Sequence, residues 1–209
     1  MTTTHNEISQ KSMSGQKALQ LLRDGNQRFM DNEFLHRDFE VQRQATAGGQ
    51  FPFAVILSCI DSRLPTEIIF DQGIGDVFNV RIAGNVVSEN VLGSLEFACK
   101  LAGAKLILVL GHTSCGAVKG ACDHLKMGKL TGLLEKIEPA MTAVKTAPGV
   151  SRSSSNPGFV DRVARKNVSL TMDSIRRESP VLNEMLEKKD VKLAGAMYDV
   201  STGKVDFDL

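Results

Sequence analysis

The sequence has no surplus of charge and no long apolar run. Its 25 basic residues nearly balance its 24 acidic residues, so nothing in its charge favours nucleic acid or an anionic membrane as a partner. The longest apolar stretches, near 53–57 and 106–110, are far too short to span a bilayer. Residues 1–17 are polar and lack the apolar segment of a signal peptide. We therefore expect a cytoplasmic protein that binds neither nucleic acid nor membrane.

Cysteine is also scarce, with four residues in the chain. Without a secretory signal, such cysteines indicate thiols in a reducing compartment, where metal binding or catalysis is commoner than disulfide formation. The length of 209 residues and the hydrophobic content of 42% suffice for one substantial core. We expect a single domain over residues 1–209, with a mobile arm at 1–14, N-terminal helices at 15–47 and an α/β core at 48–209.

Apolar periodicity predicts alternating strands and helices. An α/β fold follows, with a central, mainly parallel sheet of four to five strands flanked by helices. Segments 191–200 and 205–209 resemble a hairpin, and 147–158 reads as an exposed loop. In the helix predicted at 88–102, the expected inward residues are Val91, Leu92, Leu95 and either Cys99 or Phe97. The remaining strands are predicted at 53–57, 77–82 and 105–110, and the remaining helices at 15–29, 117–126, 130–145, 160–177 and 181–188.

Three residues at the ends of predicted strands form a candidate metal site. Cys59 and His112 each follow an apolar strand, and the carboxyl ends of parallel strands meet at one edge of the sheet. Cys115 comes three residues after His112, at the start of a helix that Thr113 or Ser114 could cap. A helix N-terminus favours the thiolate form of cysteine. Two cysteines and one histidine predict a catalytic zinc site, because such sites keep a fourth position open.

Each of these residues also has a simpler interpretation. A single Cys59 at a strand end would ordinarily be a core residue, since cysteine is among the most buried residue types. The combination with His112 favours ligation. The other cysteines and histidines are not expected to bind the metal, because they lie on an apolar helix face, too far along the next helix or in polar segments: Cys99, Cys122, His5, His36 and His124.

Asp61 and Arg63 closely follow the first predicted ligand. One interpretation is an exposed loop ion pair, which contributes little to stability. The other is that Asp61 lies beside the metal and accepts a hydrogen bond from bound water, while Arg63 holds it ionised through a bidentate pair. The spacing alone leaves both open.

Two motifs together resemble the β-class carbonic anhydrases. They are Cys59-Ile60-Asp61-Ser62-Arg63 and Gly111-His112-Thr113-Ser114-Cys115-Gly116. Segments 18–29 and 76–85 also resemble the family, so the similarity is close from about Gly15 to Gly120 and looser beyond. The resemblance implies a dimer or tetramer whose N-terminal helical arm packs on a partner subunit, with the pocket at the interface.

The resemblance also implies a role for each matched residue. Cys59, His112 and Cys115 correspond to the ligands of one Zn²⁺ per chain, and Asp61 with Arg63 corresponds to the catalytic dyad. The substrate-binding residues that it implies, for carbon dioxide or bicarbonate, are Gln50, Phe78, Ala83, Phe97 and Gly116.

The sequence departs from the family pattern at four positions. Phe97 stands where many members have tyrosine, Ala83 where plant-like members have a larger valine, and Ile82 where asparagine is frequent. The chain contains no tryptophan, and Ile56 occupies the position at which one subgroup uses tryptophan to bind bicarbonate allosterically. Although Arg81 is present, we expect a plant-like member without that allosteric site.

The implied activity is a carbonate dehydratase: reversible hydration of carbon dioxide to bicarbonate and a proton by zinc-bound hydroxide. One alternative is a hydrolase of carbon disulfide or carbonyl sulfide on the same site. Another is a non-catalytic zinc module, which would need a fourth protein ligand such as Asp61.

Overall fold

A five-stranded sheet forms the centre of the protein, as seen in a computed structural model that describes residues 4–209. Its strand order is β2-β1-β3-β4-β5. The first four strands are parallel, and β5 pairs with β4 in an antiparallel hairpin. This confirms the predicted mainly parallel sheet and the C-terminal hairpin. The strands are β1 (Ala54–Ser58), β2 (Val77–Arg81), β3 (Leu106–His112), β4 (Lys192–Tyr198) and β5 (Val205–Asp206).

Helices flank the sheet, as predicted. Over residues 4–209 there are ten α-helices, together with a 3₁₀ turn at Ala83–Asn85 and a π-helical turn at Phe97–Leu101. The helices are α1 (Glu7–Lys11), α2 (Gly15–Asp31), α3 (Phe39–Thr46), α4 (Thr66–Ile69), α5 (Glu89–Glu96), α6 (Gly116–Cys122), α7 (Gly128–Glu135), α8 (Glu138–Ala143), α9 (Pro157–Glu178) and α10 (Pro180–Glu187).

The two central strands, β1 and β3, lie in the hydrophobic core. Every residue of β1 and of β3 is buried, which is typical of a parallel sheet covered on both faces. None of the described helices is long and apolar enough to cross a membrane.

The long helix α9 lies against β3, and its sequence accounts for its N-terminal end. Asn156 caps it by accepting a hydrogen bond from the N–H of Phe159 at 3.1 Å, and Pro157 occupies the first turn, where no amide donor is needed. Val168 leaves no room for a side chain at Gly111, because a Cβ there would lie 2.6 Å from its Cγ2. The helix is therefore held close to the strand that ends in His112.

The segment predicted as an N-terminal arm, 1–14, contains helix α1. Residues 1–3 lie outside the described residues, but α1 docks on the start of the sheet. The side chain of Gln10 donates to the carbonyl of Pro52 at 2.7 Å and to that of Ala102 at 2.8 Å. These two hydrogen bonds join α1 to the segments before β1 and β3.

Two predicted helices are interrupted. The helix at 130–145 is divided into α7 and α8, because Pro139 lacks an amide donor and starts a new helix. The helix at 88–102 changes at Phe97 from α to π geometry. Cys99 is buried there, whereas Phe97 is 53% exposed, so Cys99 is the inward residue.

Candidate metal centre

Cys59, His112 and Cys115 lie together in the interior, as predicted. The two sulfur atoms are 4.0 Å apart, and a ring nitrogen of His112 lies within 4.8 Å of both. All three side chains are buried. Within residues 4–209, this is the one group of three metal-capable side chains so placed.

The sheet brings the three residues together. Cys59 follows β1, and His112 ends the neighbouring parallel strand β3. Cys115 itself is the N-cap of α6, without a side-chain capping bond. The predicted cap by Thr113 or Ser114 is therefore wrong. Ser114 instead adopts a left-handed conformation (φ 57°), and its N–H donates to Asp161 of α9 at 3.0 Å.

The histidine ring has one nitrogen in a hydrogen bond and one without a partner. Nδ1 lies 2.9 Å from the carbonyl oxygen of Thr113, which can only accept, so Nδ1 carries the proton. Nε2 is then an acceptor with a free lone pair. It is buried and has no hydrogen-bond partner. A buried polar atom without a partner is costly, and a metal ion would supply the missing interaction.

The two thiols differ in acidity. Hydrogen bonding to Cys115 lowers the pKa of Cys59, and N–H groups of Gly84 and Asp61 add to this effect. The same Cys59–Cys115 hydrogen bond, together with burial, raises the pKa of Cys115. Cys59 is therefore the more acidic thiol of the pair. Both thiols would bind a metal as thiolates, so metal binding would release protons.

This donor set fits zinc. Two sulfurs bound to one tetrahedral zinc at about 2.3 Å would be about 3.8 Å apart. The observed separation of 4.0 Å is close to that value. Two thiolates and one imidazole are ligands that zinc prefers, and three protein ligands leave one position for substrate or water.

Asp61 and Arg63 form the predicted bidentate pair. Arg63 donates from Nε to Asp61 Oδ1 at 2.9 Å and from Nη2 to Oδ2 at 2.8 Å. The Arg63 hydrogen bonds hold the pKa of Asp61 well below its usual range. The backbone N–H of Asp61 bonds to the sulfur of Cys59, so the loop that carries this carboxylate contacts the cluster.

Arg81 holds the same loop, a role that the sequence did not indicate. From the end of β2, its Nε donates to the carbonyl of Cys59 at 3.0 Å and its Nη2 to that of Asp61 at 2.6 Å. Side-chain bonds to backbone carbonyls have no characteristic sequence spacing. What the sequence did offer was the position of Arg81 at the end of β2, the strand that pairs with β1.

The five predicted pocket residues lie on different elements of the fold. Phe78 and Phe97 meet edge to face, with ring centroids 6.3 Å apart. Ala83 begins the 3₁₀ turn, and Gly116 begins α6 next to Cys115. Gln50 is exposed in the segment before β1. Their roles in substrate binding stay predictions.

The remaining cysteines and histidines lie outside the cluster. Burial raises the pKa of Cys99 to about 12 and that of Cys122 to about 11, so both are inert thiols. His36 and His124 are exposed, as expected. His5 is instead half-buried, with its ring against Phe53 at a centroid distance of 5.1 Å.

Known proteins support the same interpretation. The family model described as carbonic anhydrase matches residues 54–205. The chain is 36% identical over 193 residues to carbonic anhydrase 2 of Mycobacterium tuberculosis, covering 90% of this chain and 89% of that protein. It is 35% identical over 195 residues to a carbonic anhydrase of Mycolicibacterium smegmatis, with coverage of 90% and 91%.

A solved structure shows the same fold. The β-carbonic anhydrase CafA of Aspergillus fumigatus superposes with a TM-score of 0.69 at 26% identity, over 80% of each chain. The family match includes every residue of the two motifs, from Cys59 to Gly116. The chain therefore belongs to the β-class carbonic anhydrases, the family of carbonate dehydratases that its two motifs resemble.

Proposed function

We propose that this protein catalyses the reversible hydration of carbon dioxide to bicarbonate and a proton. The observation that carries the proposal is the buried cluster of Cys59, His112 and Cys115, in which the Nε2 atom of His112 has no partner. Membership of the β-class carbonic anhydrases supports the same reaction. The further specification, attack on carbon dioxide at a zinc site, rests on the chemistry of these residues.

One Zn²⁺ per chain is the cofactor in this proposal, held by the three clustered side chains. When bound, zinc acts as a Lewis acid that makes water nucleophilic near neutral pH. The protein contributes the donor atoms. Cys59 and Cys115 provide thiolates, and the Nδ1–H bond to Thr113 fixes the tautomer in which His112 offers Nε2.

Asp61 orients the attacking water in this mechanism. Its carboxylate stays ionised because Arg63 donates to both oxygens, so it accepts a hydrogen bond from the water and donates none. Arg63 also fixes the direction of the carboxylate. A positioned acceptor of this kind aligns the nucleophile with its substrate.

The pocket residues provide an environment suited to a small apolar substrate. Phe78, Phe97 and Ala83 offer apolar surface to carbon dioxide. The backbone N–H of Gly116, at the first residue of α6, is available to an oxygen of bicarbonate. Gln50 is the proposed polar contact for the anion.

Self-association as a homodimer or homotetramer is also part of the proposal. Large exposed apolar residues surround a surface cavity of about 660 Å³, and such patches mark protein interfaces. The apolar residues around the cavity include Phe34, Phe39, Ile68 and Ile74. Sedimentation equilibrium at micromolar concentration tests this self-association: a dimer or tetramer is expected, and a monomer would contradict it.

The cytoplasmic location stays a prediction.

Stopped-flow hydration of carbon dioxide at pH 8.5, on protein of measured zinc content, tests the proposed activity. The matched pair of variants is Cys59→Ala and Cys122→Ala, since both remove a buried thiol but only Cys59 belongs to the cluster. We expect fast turnover in the wild type and in Cys122→Ala, with zinc and activity both lost in Cys59→Ala. One zinc per chain without turnover would contradict the proposal.

A further inference from the structure

Two buried polar side chains of α9 bond to the backbone of the 3₁₀ turn at Ala83–Asn85. The Nδ2 atom of Asn167 donates to the carbonyl of Gly84 at 2.8 Å. One helical turn later, Thr171 Oγ1 lies 3.4 Å from the carbonyl of Asn85. The two residues share one face of the helix, because they are four positions apart. Helix α9 therefore holds two successive carbonyls of this turn.

The same turn also contacts the cluster of Cys59, His112 and Cys115. The N–H of Gly84 donates to the sulfur of Cys59 at 3.4 Å. Gly84 has a φ of 69° and Asn85 a φ of 45°, so two successive residues are left-handed. A side chain at position 84 would be strained by this left-handed backbone, and its Cβ would lie 2.8 Å from Cδ1 of Ile137.

Glycine has more backbone freedom than any other residue, so the direction of its N–H must be fixed by its surroundings. The N–H and the carbonyl of Gly84 belong to peptide planes that meet at its α-carbon. Holding the carbonyl therefore restricts where the N–H points. The hydrogen bond from Asn167 is buried at both ends, where a hydrogen bond is strongest and its loss most costly.

We propose that Asn167 is a positioning residue for the metal centre, which keeps the Gly84 N–H directed at the Cys59 sulfur. This inference rests on the proposed zinc site. Partners of metal ligands orient the ligands and adjust their electron donation. An N–H bond to sulfur withdraws charge from the thiolate, so Asn167 acts on the metal through one residue of backbone. Asn167 touches neither substrate nor metal in this role.

Metal-binding measurements on Asn167→Leu test the proposal, with Thr171→Val as the matched control. Both variants remove a buried donor from the same helix face, but only Asn167 holds the residue that bonds to Cys59. The measurements are zinc affinity by competition with a chromogenic chelator, and the sulfur-to-metal charge-transfer bands of the cobalt(II)-substituted protein. Asn167→Ser, which is too short to reach Gly84, serves if Asn167→Leu does not fold.

We expect zinc affinity to fall about 10- to 100-fold in Asn167→Leu, with shifted charge-transfer bands. Thr171→Val should stay within about twofold of the wild type, with unshifted bands. Unchanged affinity and bands in the Asn167 variants would overturn the inference, and so would equal losses in both variants. If the wild-type protein binds no metal, the proposed function fails as well. If only the inference fails, the wild type still binds zinc, so the two failures are distinguishable.

Discussion

The guanidinium of Arg63 engages both carboxylate oxygens of Asp61, at 2.9 Å and 2.8 Å. The backbone N–H of Arg63 donates to the same carboxylate at 3.0 Å. Three donors from one residue fix the direction of the Asp61 carboxylate. The arginine side chain is half exposed, so this pair contributes more to geometry than to stability.

Replacing Arg63 should separate activity from stability. In Arg63→Gln, the carboxylate loses its bidentate partner and rotates, so we expect kcat to fall about 10²-fold. The free energy of unfolding should change by less than about 1 kcal/mol, because exposed ion pairs contribute little. Stopped-flow kinetics and urea unfolding measure the two quantities.

Arg165→Gln is the control for this substitution. It removes an exposed ion pair of similar length, between Arg165 and Asp206 at 2.8 Å, that lies outside the metal cluster. Its kcat should match the wild type. If both variants lose activity equally, Arg63 has no specific role in the site.

The lowered pKa of Asp61 predicts how stability depends on pH. A carboxyl whose folded-state pKa is lowered stabilises the protein at pH values above its ordinary value of 3.8, and this contribution is lost as the pH falls towards the folded-state pKa. Asp61→Asn lacks the contribution. We expect the difference in Tm between wild type and variant to be constant above about pH 5 and to shrink below pH 3.8.

The measurement uses metal-free samples of both proteins, so that zinc release in acid does not contribute. Thermal unfolding from pH 6 to pH 3 gives the two curves. Parallel curves over this whole range would show that the Asp61 pKa is not lowered by folding.

The sequence was sufficient to predict that Cys59, His112 and Cys115 lie together, because the signals are local. Each ligand follows an apolar strand, and parallel strands place such residues at the same edge. The supporting contacts could not be predicted in this way. Asn167 and Asp161 bond to backbone groups at positions 84 and 114, and a side chain that reaches a distant peptide leaves no periodic pattern.

The fold shows the same division between local and distant signals. The buried strands β1 and β3 were evident from continuous apolar runs. The division between α7 and α8 had a local signal in Pro139, which the periodicity of the flanking apolar residues masked. The docking of α1 had no local signal in the sequence, since it depends on hydrogen bonds from Gln10 to two carbonyls in separate loops.

Metal removal should destabilise the wild-type protein. Without a cation, His112 Nε2 is a buried acceptor with no partner, and folding is what brings the three donor atoms together. A ligand at 100 times its Kd contributes about 2.7 kcal/mol to the free energy of unfolding. We expect Tm to fall after dialysis against a chelator and to recover with Zn²⁺ but not with Mg²⁺.

Cys115→Ala is the control for the metal effect, because it lacks one thiolate of the cluster. Added zinc should leave its Tm unchanged. A wild-type Tm that is insensitive to both chelator and zinc would contradict a metal centre in this protein.

Glycine substitutions in two helices should have opposite effects on stability. Gly25 lies inside α2, where a Cβ would be 2.6 Å from the carbonyl carbon of Phe70 and closer still to its oxygen. Gly25→Ala therefore forces α2 away from the segment after α4, and we expect a loss of about 3 kcal/mol in the free energy of unfolding. Gly132 of α7 has open space where a Cβ would stand, with nothing within 4 Å, so Gly132→Ala should gain about 0.5–1 kcal/mol from helix propensity. Urea unfolding measures both changes in the free energy of unfolding, provided that the m-values are equal. A gain in stability in Gly25→Ala would show that α2 does not pack this closely against Phe70.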